Sequence, residues 1–366
     1  MADLTVNFLG KKLRNPFVLG AGPLTYSGEA LVAAWEAGLG AVVTKTLRRE
    51  PADNPYPHMV DIGRGTLINA EKWADLTAEQ WIEKEIPLAK KHGVVVIASV
   101  GHTPEEAEEL VRPVEEAGAD FIELVSYEES TMIPMVEKTK ERVKIPVIAK
   151  LSPNWPGLPR VAARCLEAGA DAITAVDSYG PVLRLDVRTA RPLLGGPYGF
   201  GWLSGAGLKP IALRAVAEIC LANPGVKVIG LGGVSSGEDA LEMLLAGAGL
   251  VGICSVAISR GLKVVETLTR ELSSLLDELN YSSVEEASGR SLPYLLPQEQ
   301  KEKLRFRYDP EKCTNCRLCV TRCPYGARRL ENKKMELDEE KCRNCGYCVS
   351  VCRPGALTSD RLRGWA

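Results

Sequence analysis

Two runs of cysteine near the C-terminus carry the most specific chemistry in this chain. The first reads Cys313-Thr-Asn-Cys316-Arg-Leu-Cys319-Val-Thr-Arg-Cys323-Pro324. The second reads Cys342-Arg-Asn-Cys345-Gly-Tyr-Cys348-Val-Ser-Val-Cys352, with Pro354 one residue beyond the matching place. Paired C-x2-C-x2-C-x3-C runs are the signature of bacterial proteins that hold two [4Fe–4S] clusters. Three closely spaced thiolates reach three irons of one cubane, and the fourth points away from it. The spacing therefore assigns Cys313, Cys316, Cys319 and Cys352 to one cluster, and Cys342, Cys345, Cys348 and Cys323 to the other. CxxC pairs also build zinc ribbons, but eight ligands in this doubled spacing favour clusters. A disulfide framework is not expected in a cytoplasmic chain of this size.

The charge is divided unevenly. Residues 301–366 hold 16 Lys/Arg and 9 Asp/Glu, a formal +7, and the remainder carries −9, which leaves −2 over 366 residues. A basic segment can mark nucleic-acid binding. Here the anionic thiolate clusters account for it, and no nucleic-acid partner is expected. Met1 to Gly10 reads as strand rather than signal peptide, and no apolar run approaches the roughly 20 residues of a membrane helix. A cytoplasmic protein without a membrane partner is the expectation.

Ahead of the cysteines, apolar runs alternate with amphipathic stretches. Strands are predicted at Phe17–Gly20, Ala41–Lys45, Val94–Ser99, Phe121–Val125, Val147–Leu151, Ala172–Ala175, Val226–Leu231 and Leu250–Cys254. Helices fall between them, for example Glu105–Ala117 and Glu238–Ala246. Eight βα units in about 270 residues, with strands apolar along their length, predict a (β/α)8 TIM barrel. A doubly wound sheet is the alternative, but no G-x-G-x-x-G follows the first strand, so nothing advertises a nicotinamide site. The chain then divides into a barrel over 1–280, a linker over 281–304 and a small bacterial-type two-cluster ferredoxin domain over 305–366.

Barrel active sites lie at the C-terminal ends of the strands. Those ends present Gly20-Ala21-Gly22, Lys45, Ser99, Glu123 to Glu128, Lys150, Thr174 to Ser178, Gly232-Gly233 and Cys254-Ser255. Lys45 and Lys150 end apolar strands, where a charge is costly unless an anion or electron-rich ligand meets it. One such lysine could be a salt-bridge partner; two at one mouth favour a ligand. Gly232-Gly233 after strand seven, with Ser255 after strand eight, matches the common barrel phosphate site. Alone, the glycine pair would be as consistent with a tight turn. Together these features point to a phosphorylated, electron-rich ring: flavin mononucleotide (FMN).

At these residues the barrel resembles dihydroorotate dehydrogenase, and the whole chain resembles the pyrimidine-reducing part of dihydropyrimidine dehydrogenase, which joins such a barrel to a two-cluster ferredoxin segment. The matching stretches are Asn15-Pro16-Phe17, Val43-Thr44-Lys45-Thr46, Ile97-Ala98-Ser99, Ala149-Lys150-Leu151-Ser152-Pro153-Asn154, Ser204-Gly205 with Pro210-Ile211-Ala212-Leu213-Arg214-Ala215-Val216, and Gly232-Gly233 with Cys254-Ser255. The resemblance implies that Ala21, Gly22, Lys45, Asn69, Glu71, Ser99, Lys150, Thr174, Ser204, Gly205, Gly232, Gly233, Cys254 and Ser255 surround FMN. It implies that Lys45 or Lys150 stabilises negative charge on reduced flavin, and that Asn69 also reaches the substrate.

The chain departs from the family after strand four. The family's Asn-x-Ser-Cys-Pro, whose cysteine or serine exchanges a proton with substrate carbon, is replaced by Val125-Ser126-Tyr127-Glu128-Glu129. After strand six, an Asn-Thr pair becomes Asp177-Ser178. Two amides that would grip a pyrimidine edge are gone, and a site built on hydrogen bonds loses several powers of ten without them. Glu128 aligns with the catalytic position and Tyr127 adjoins it, so either is a candidate acid or base. Equally, Glu128 and Glu129 could simply begin a helix. His58 and His102 are alternative donors. Arg184, Arg188 and Arg191 could hold an anionic substrate or form a solvated face.

The resulting expectation is a flavin- and iron–sulfur-dependent oxidoreductase acting on CH–CH bonds. FMN exchanges a hydride with a small cyclic or conjugated substrate that is not a pyrimidine, and single electrons pass through the clusters to or from a ferredoxin or a partner subunit with FAD and NAD(P)H. The resemblance implies a homodimer. The alternative is an electron-transfer or scaffold subunit whose barrel has lost catalysis.

Overall fold

The structure, a computed structural model, describes residues 2–295 and 297–362. Two compact units separate after Leu295. In the first, eight parallel strands close into a barrel: β1 Phe17–Leu19, β2 Ala41–Val43, β3 Val96–Gly101, β4 Phe121–Val125, β5 Val147–Leu151, β6 Ala172–Ala175, β7 Val228–Leu231 and β8 Leu250–Ile253. They pair in chain order, and β8 returns to β1 through Val251 opposite Phe17. Every residue of β3, β4, β5 and β8 is buried. That two-sided burial is why these strands read as uninterrupted apolar runs. The intervening helices start on side-chain caps: Thr103 accepts from the Glu106 amide ahead of Pro104–Glu116, and Ser236 from the Asp239 amide ahead of Gly237–Leu245.

The inside of the barrel is stratified. A hairpin, Val6–Phe8 with Lys11–Leu13, closes the floor. Its Phe8 and Leu13 pack in one cluster with Val18, Ala41, Ile97, Phe121, Ile148, Ile229 and Leu250. Phe8 and Phe121 meet edge-on with ring centres 6.0 Å apart, the arrangement that ring quadrupoles prefer. Two long excursions, after β2 and after β6, supply strands of one antiparallel four-stranded sheet. Its order is Tyr179–Val182, Gly201–Gly205, Thr66–Asn69, Met59–Gly63.

The expected linker, 281–304, begins inside this unit. Ser283 caps a short helix, Val284–Ala287, whose Val284 and Ala287 are buried, and Asp3 bridges to Ser283. Apolar side chains that find a core stay on it, so the unit reaches Leu295. The second unit pairs Phe306–Tyr308 with Leu357–Ser359 and Arg328–Glu331 with Lys334–Leu337. Two short helices, Leu318–Thr321 and Tyr347–Ser350, each include the third cysteine of a run. Among the described residues no helix is long and apolar enough to cross a membrane.

Phe121→Ala should cost about 3–5 kcal/mol in urea denaturation, because its ring fills the floor and the cavity left behind cannot collapse. A loss below about 1 kcal/mol would show that the floor is not one packed cluster.

Candidate active site and cluster sites

The mouth of the barrel opens into a cleft of about 1290 Å³, open space included. Two loops at the strand ends shape one end. Gly232 and Gly233 follow β7 with φ of +136° and +77°, and their amides donate to no backbone acceptor among the described residues. A Cβ on Gly232 would lie 2.7 Å from that of Ala212, and one on Gly233 2.6 Å from the Gly205 carbonyl oxygen. Both positions therefore require glycine, and both line the cleft. Cys254 and Ser255 at the start of the helix Ser255–Arg260 complete that end. Burial pushes the Cys254 thiol up to about 11, so it stays protonated.

The cleft floor is a layer of buried charge. Lys45, 5% exposed, sits 2.6 Å from the Glu71 carboxylate. Lys150, 6% exposed, lies 3.2 Å from Asp177. Burial lowers the Lys150 pKa, but the Asp177 and Glu123 carboxylates outweigh it and hold the lysine above its ordinary value. Glu123 is fully buried, is raised by desolvation, and accepts from the Thr174 hydroxyl at 2.7 Å. Thr174 and Ser99 lie one layer below the cleft and are not among its walls. The Ser99 hydroxyl is engaged with that of Thr46 at 2.9 Å. Strand alternation places these side chains inside the barrel, but their short length leaves them beneath the lysines.

Four aromatic rings wall the other end: Trp73, His102, Tyr127 and Trp202. His102 meets Tyr127 edge-on at 4.4 Å and Trp73 at 5.8 Å, while Tyr127 and Trp202 lie nearly parallel at 6.0 Å. The His102 loop is pinned from behind. Arg48 grips Glu106 through Nε and Nη2, Glu106 accepts from the His102 amide, and the Arg48 guanidinium stacks over Trp73 at 4.3 Å. Burial, and then the nearby Arg48 charge, lower the His102 pKa to about 4, so the ring is neutral at pH 7. Tyr127 keeps half of its surface open. Even so, desolvation and the Asp177 carboxylate push its phenol up to about 12.

In the second unit each predicted cysteine set lines its own cavity. Cys313, Cys316, Cys319 and Cys352 ring one of about 320 Å³, and Cys323, Cys342, Cys345 and Cys348 ring another of about 310 Å³. Backbone amides donate to Cys313 and Cys352 in the first set, and to Cys323 and Cys342 in the second.

Comparison with known proteins agrees with this architecture. The profile described as dihydroorotate dehydrogenase matches residues 3–276. The chain belongs to the dihydroorotate dehydrogenase family. A 4Fe-4S dicluster domain matches residues 305–353. The catalytic subunit of dihydroorotate dehydrogenase B (NAD(+)) from Pyrococcus abyssi is 34% identical over 79% of this chain and 99% of its own length. That of Methanopyrus kandleri is 34% identical over 82% and 97%. The NAD-dependent dihydropyrimidine dehydrogenase subunit PreA of Escherichia coli (strain K12) is 29% identical over 89% and 87%. The chain is accordingly an FMN and iron–sulfur oxidoreductase of this family, acting on CH–CH bonds, with FMN and two [4Fe–4S] clusters as cofactors. The residues present fit them: a glycine cradle with free amides, buried cations at the cleft, and four thiols around each cavity.

Of the candidate residues for this family's chemistry, Ala21, Gly22, Lys45, Asn69, Glu71, Lys150, Ser204, Gly205, Gly232, Gly233, Cys254 and Ser255 converge on the cleft, as do Tyr127, Asp177 and Ser178. Glu128 does not. It is exposed at the start of the helix Glu129–Arg142, where acidic residues favour the helix dipole, so the helix-start reading holds. His58 and the exposed Arg184, Arg188 and Arg191 also lie off the cleft walls. Trp73 and Trp202, absent from the sequence-based site, come from the two separate excursions. No periodic signal links them.

Because native His102 resists protonation that the unfolded chain accepts below pH 6.5, stability should fall as pH drops from 6.5 toward 4. His102→Gln should remove about one proton from that dependence, read as the slope of unfolding free energy against pH. An unchanged slope would mean that the ring is not held neutral.

Proposed function

We propose that this family member reduces or oxidises a small, flat, conjugated ring that is not dihydroorotate or a pyrimidine. The observation that carries the reading is the aromatic end of the cleft. Where the family presents amides to a ring edge, this chain presents Val125 and the rings of His102, Tyr127 and Trp202. Such walls select by stacking and area rather than by a hydrogen-bonding edge.

FMN, when bound, supplies hydride chemistry and the conversion between two-electron and one-electron transfer. The chain's residues do the rest. Lys45 and Lys150 hold positive charge at the cleft, where ring or phosphate anions are stabilised. The free amides of Gly232 and Gly233 suit a phosphate. Tyr127 keeps its Oη proton at neutral pH, which makes it the donor for substrate carbon in place of the family's cysteine. Trp202 and Tyr127 offer parallel faces that orient the ring. Asp177 and Ser178, with Asn69, supply the remaining polar contacts.

Single electrons leave or enter through the clusters to an external ferredoxin, or to a second subunit with FAD and NAD(P)H. Two relatives are named as subunits that use NAD, which supports the second form. A homodimer is part of the same proposal. The loss of the family's cysteine favours one other reading, an electron-transfer subunit with an inert barrel. Absence of flavin absorption in iron-loaded protein would establish it.

Dithionite-reduced holoprotein should be reoxidised by flat, neutral, unsaturated ring compounds faster than by orotate or uracil, followed as return of flavin absorbance. With the best oxidant, Tyr127→Phe should slow turnover by about 10²–10⁴, while Glu128→Gln should leave it unchanged. A preference for orotate or uracil would end the substrate reading, and full activity in Tyr127→Phe would end the role of the phenol.

A further inference from the structure

The two cluster cavities differ in one charged group. Arg328 opens the strand Arg328–Glu331 and lines the cavity of Cys323, Cys342, Cys345 and Cys348. It is 5% exposed, and its guanidinium stacks on Phe306 at 4.3 Å. Its Nη2 is buried without a hydrogen-bond partner, and among the described residues no carboxylate pairs with it. An unpaired buried cation is costly unless an anion meets it. The anion that this cavity is built for is a thiolate-ligated cluster. Residues at the other cavity include Tyr308, Leu330 and Met335, with no buried cation among the described residues; the Arg328 charge is the leading neighbouring charge at Cys348 and only a minor influence at Cys319 of the other set.

Other influences on potential either cancel or act in the same sense. Each set of cysteines receives two backbone amides. Each cavity has one exposed arginine, Arg317 at the first and Arg343 at the second, whose charges water screens alike. Three cysteines of the first set are buried and none of the second is. Net charge, hydrogen bonds to sulfur and solvent exposure set cluster potentials. Reduction adds one electron and makes or breaks no bond, so what matters is how well the added negative charge is stabilised. A buried guanidinium acts in a low-dielectric setting and stabilises it more than an exposed one.

We propose that Arg328 makes the two clusters inequivalent, setting the Cys323/Cys342/Cys345/Cys348 cluster at the higher reduction potential, so that the first electron to enter the pair rests there. The inference concerns only the cluster unit and does not depend on the substrate of the barrel.

The test is a potentiometric titration of the holoprotein followed by electron paramagnetic resonance. Two one-electron steps should appear, separated by at least tenfold in their reduction equilibria, or 59 mV. Arg328→Gln, with full iron and sulfide confirmed, should lower the upper step by at least tenfold and leave the lower step near its place. Arg317→Gln should move neither by that much. Two wild-type steps closer than tenfold would overturn the proposal, as would a shift of the lower step, or of neither, in Arg328→Gln. If the glutamine variant does not hold its clusters, Arg328→Lys keeps the charge. Its upper step should then stay within tenfold of wild type, and a larger fall would overturn the proposal.

Discussion

The barrel can host charge only because that charge is neutralised within one layer. Lys150 pairs with Asp177 and feels the charge of Glu123 from within β4, and Lys45 pairs with Glu71. Beneath this layer lies an apolar floor, and above it lies the cleft. A buried cation without its carboxylate would give up its proton or open the strand ends to water. The pairing thus holds the barrel's upper rim together and keeps the Lys150 ammonium protonated where an anionic cofactor belongs. The glycine loops, the thiol of Cys254 and the aromatic walls are arranged around that layer.

Much of this was legible in the sequence, for identifiable reasons. Strands buried on both faces leave uninterrupted apolar runs, so all eight could be placed to within about two residues, a usual scatter for element ends. Cysteine spacing translates directly into the geometry of a cubane, and the two cavities carry the expected sets. What a linear reading does not provide is depth. Ser99 and Thr174 sit at strand ends like Lys45 and Lys150, but their short side chains stop a layer lower. Nor does it provide convergence: Trp73 and Trp202 belong to different excursions, and Arg328 looks like any surface arginine until Phe306 and the cavity enclose it. Glu128 aligned with a catalytic position, yet it serves a helix start because the chain turns at once into Glu129–Arg142.

The loop after β4 shows how a shared scaffold changes its chemistry. The lysines, the glycine pair and the cysteines are the residues on which the resemblance to the family rests. The groups that differ lie where a substrate ring would rest. Ser126 is tied to Thr131 at 2.5 Å, and the Trp155 indole donates to the Tyr127 carbonyl. The replacement loop is therefore held in place rather than merely truncated, and its tyrosine has a defined position against His102.

The four-stranded sheet beside the mouth has a bearing on how new specificities can be built on this barrel. It is stitched from two excursions that lie more than a hundred residues apart, with Asn69 opposite Trp202 and Leu67 opposite Ser204 in one register. Neither excursion is a free-standing cassette. Grafting one of them from another enzyme would slide or unzip its partner, carrying Trp202 away from Tyr127. Lineages that acquired new substrates would have had to exchange the two segments together, or else work through single side chains on a fixed weave. Val125 and His102 both lie outside the weave.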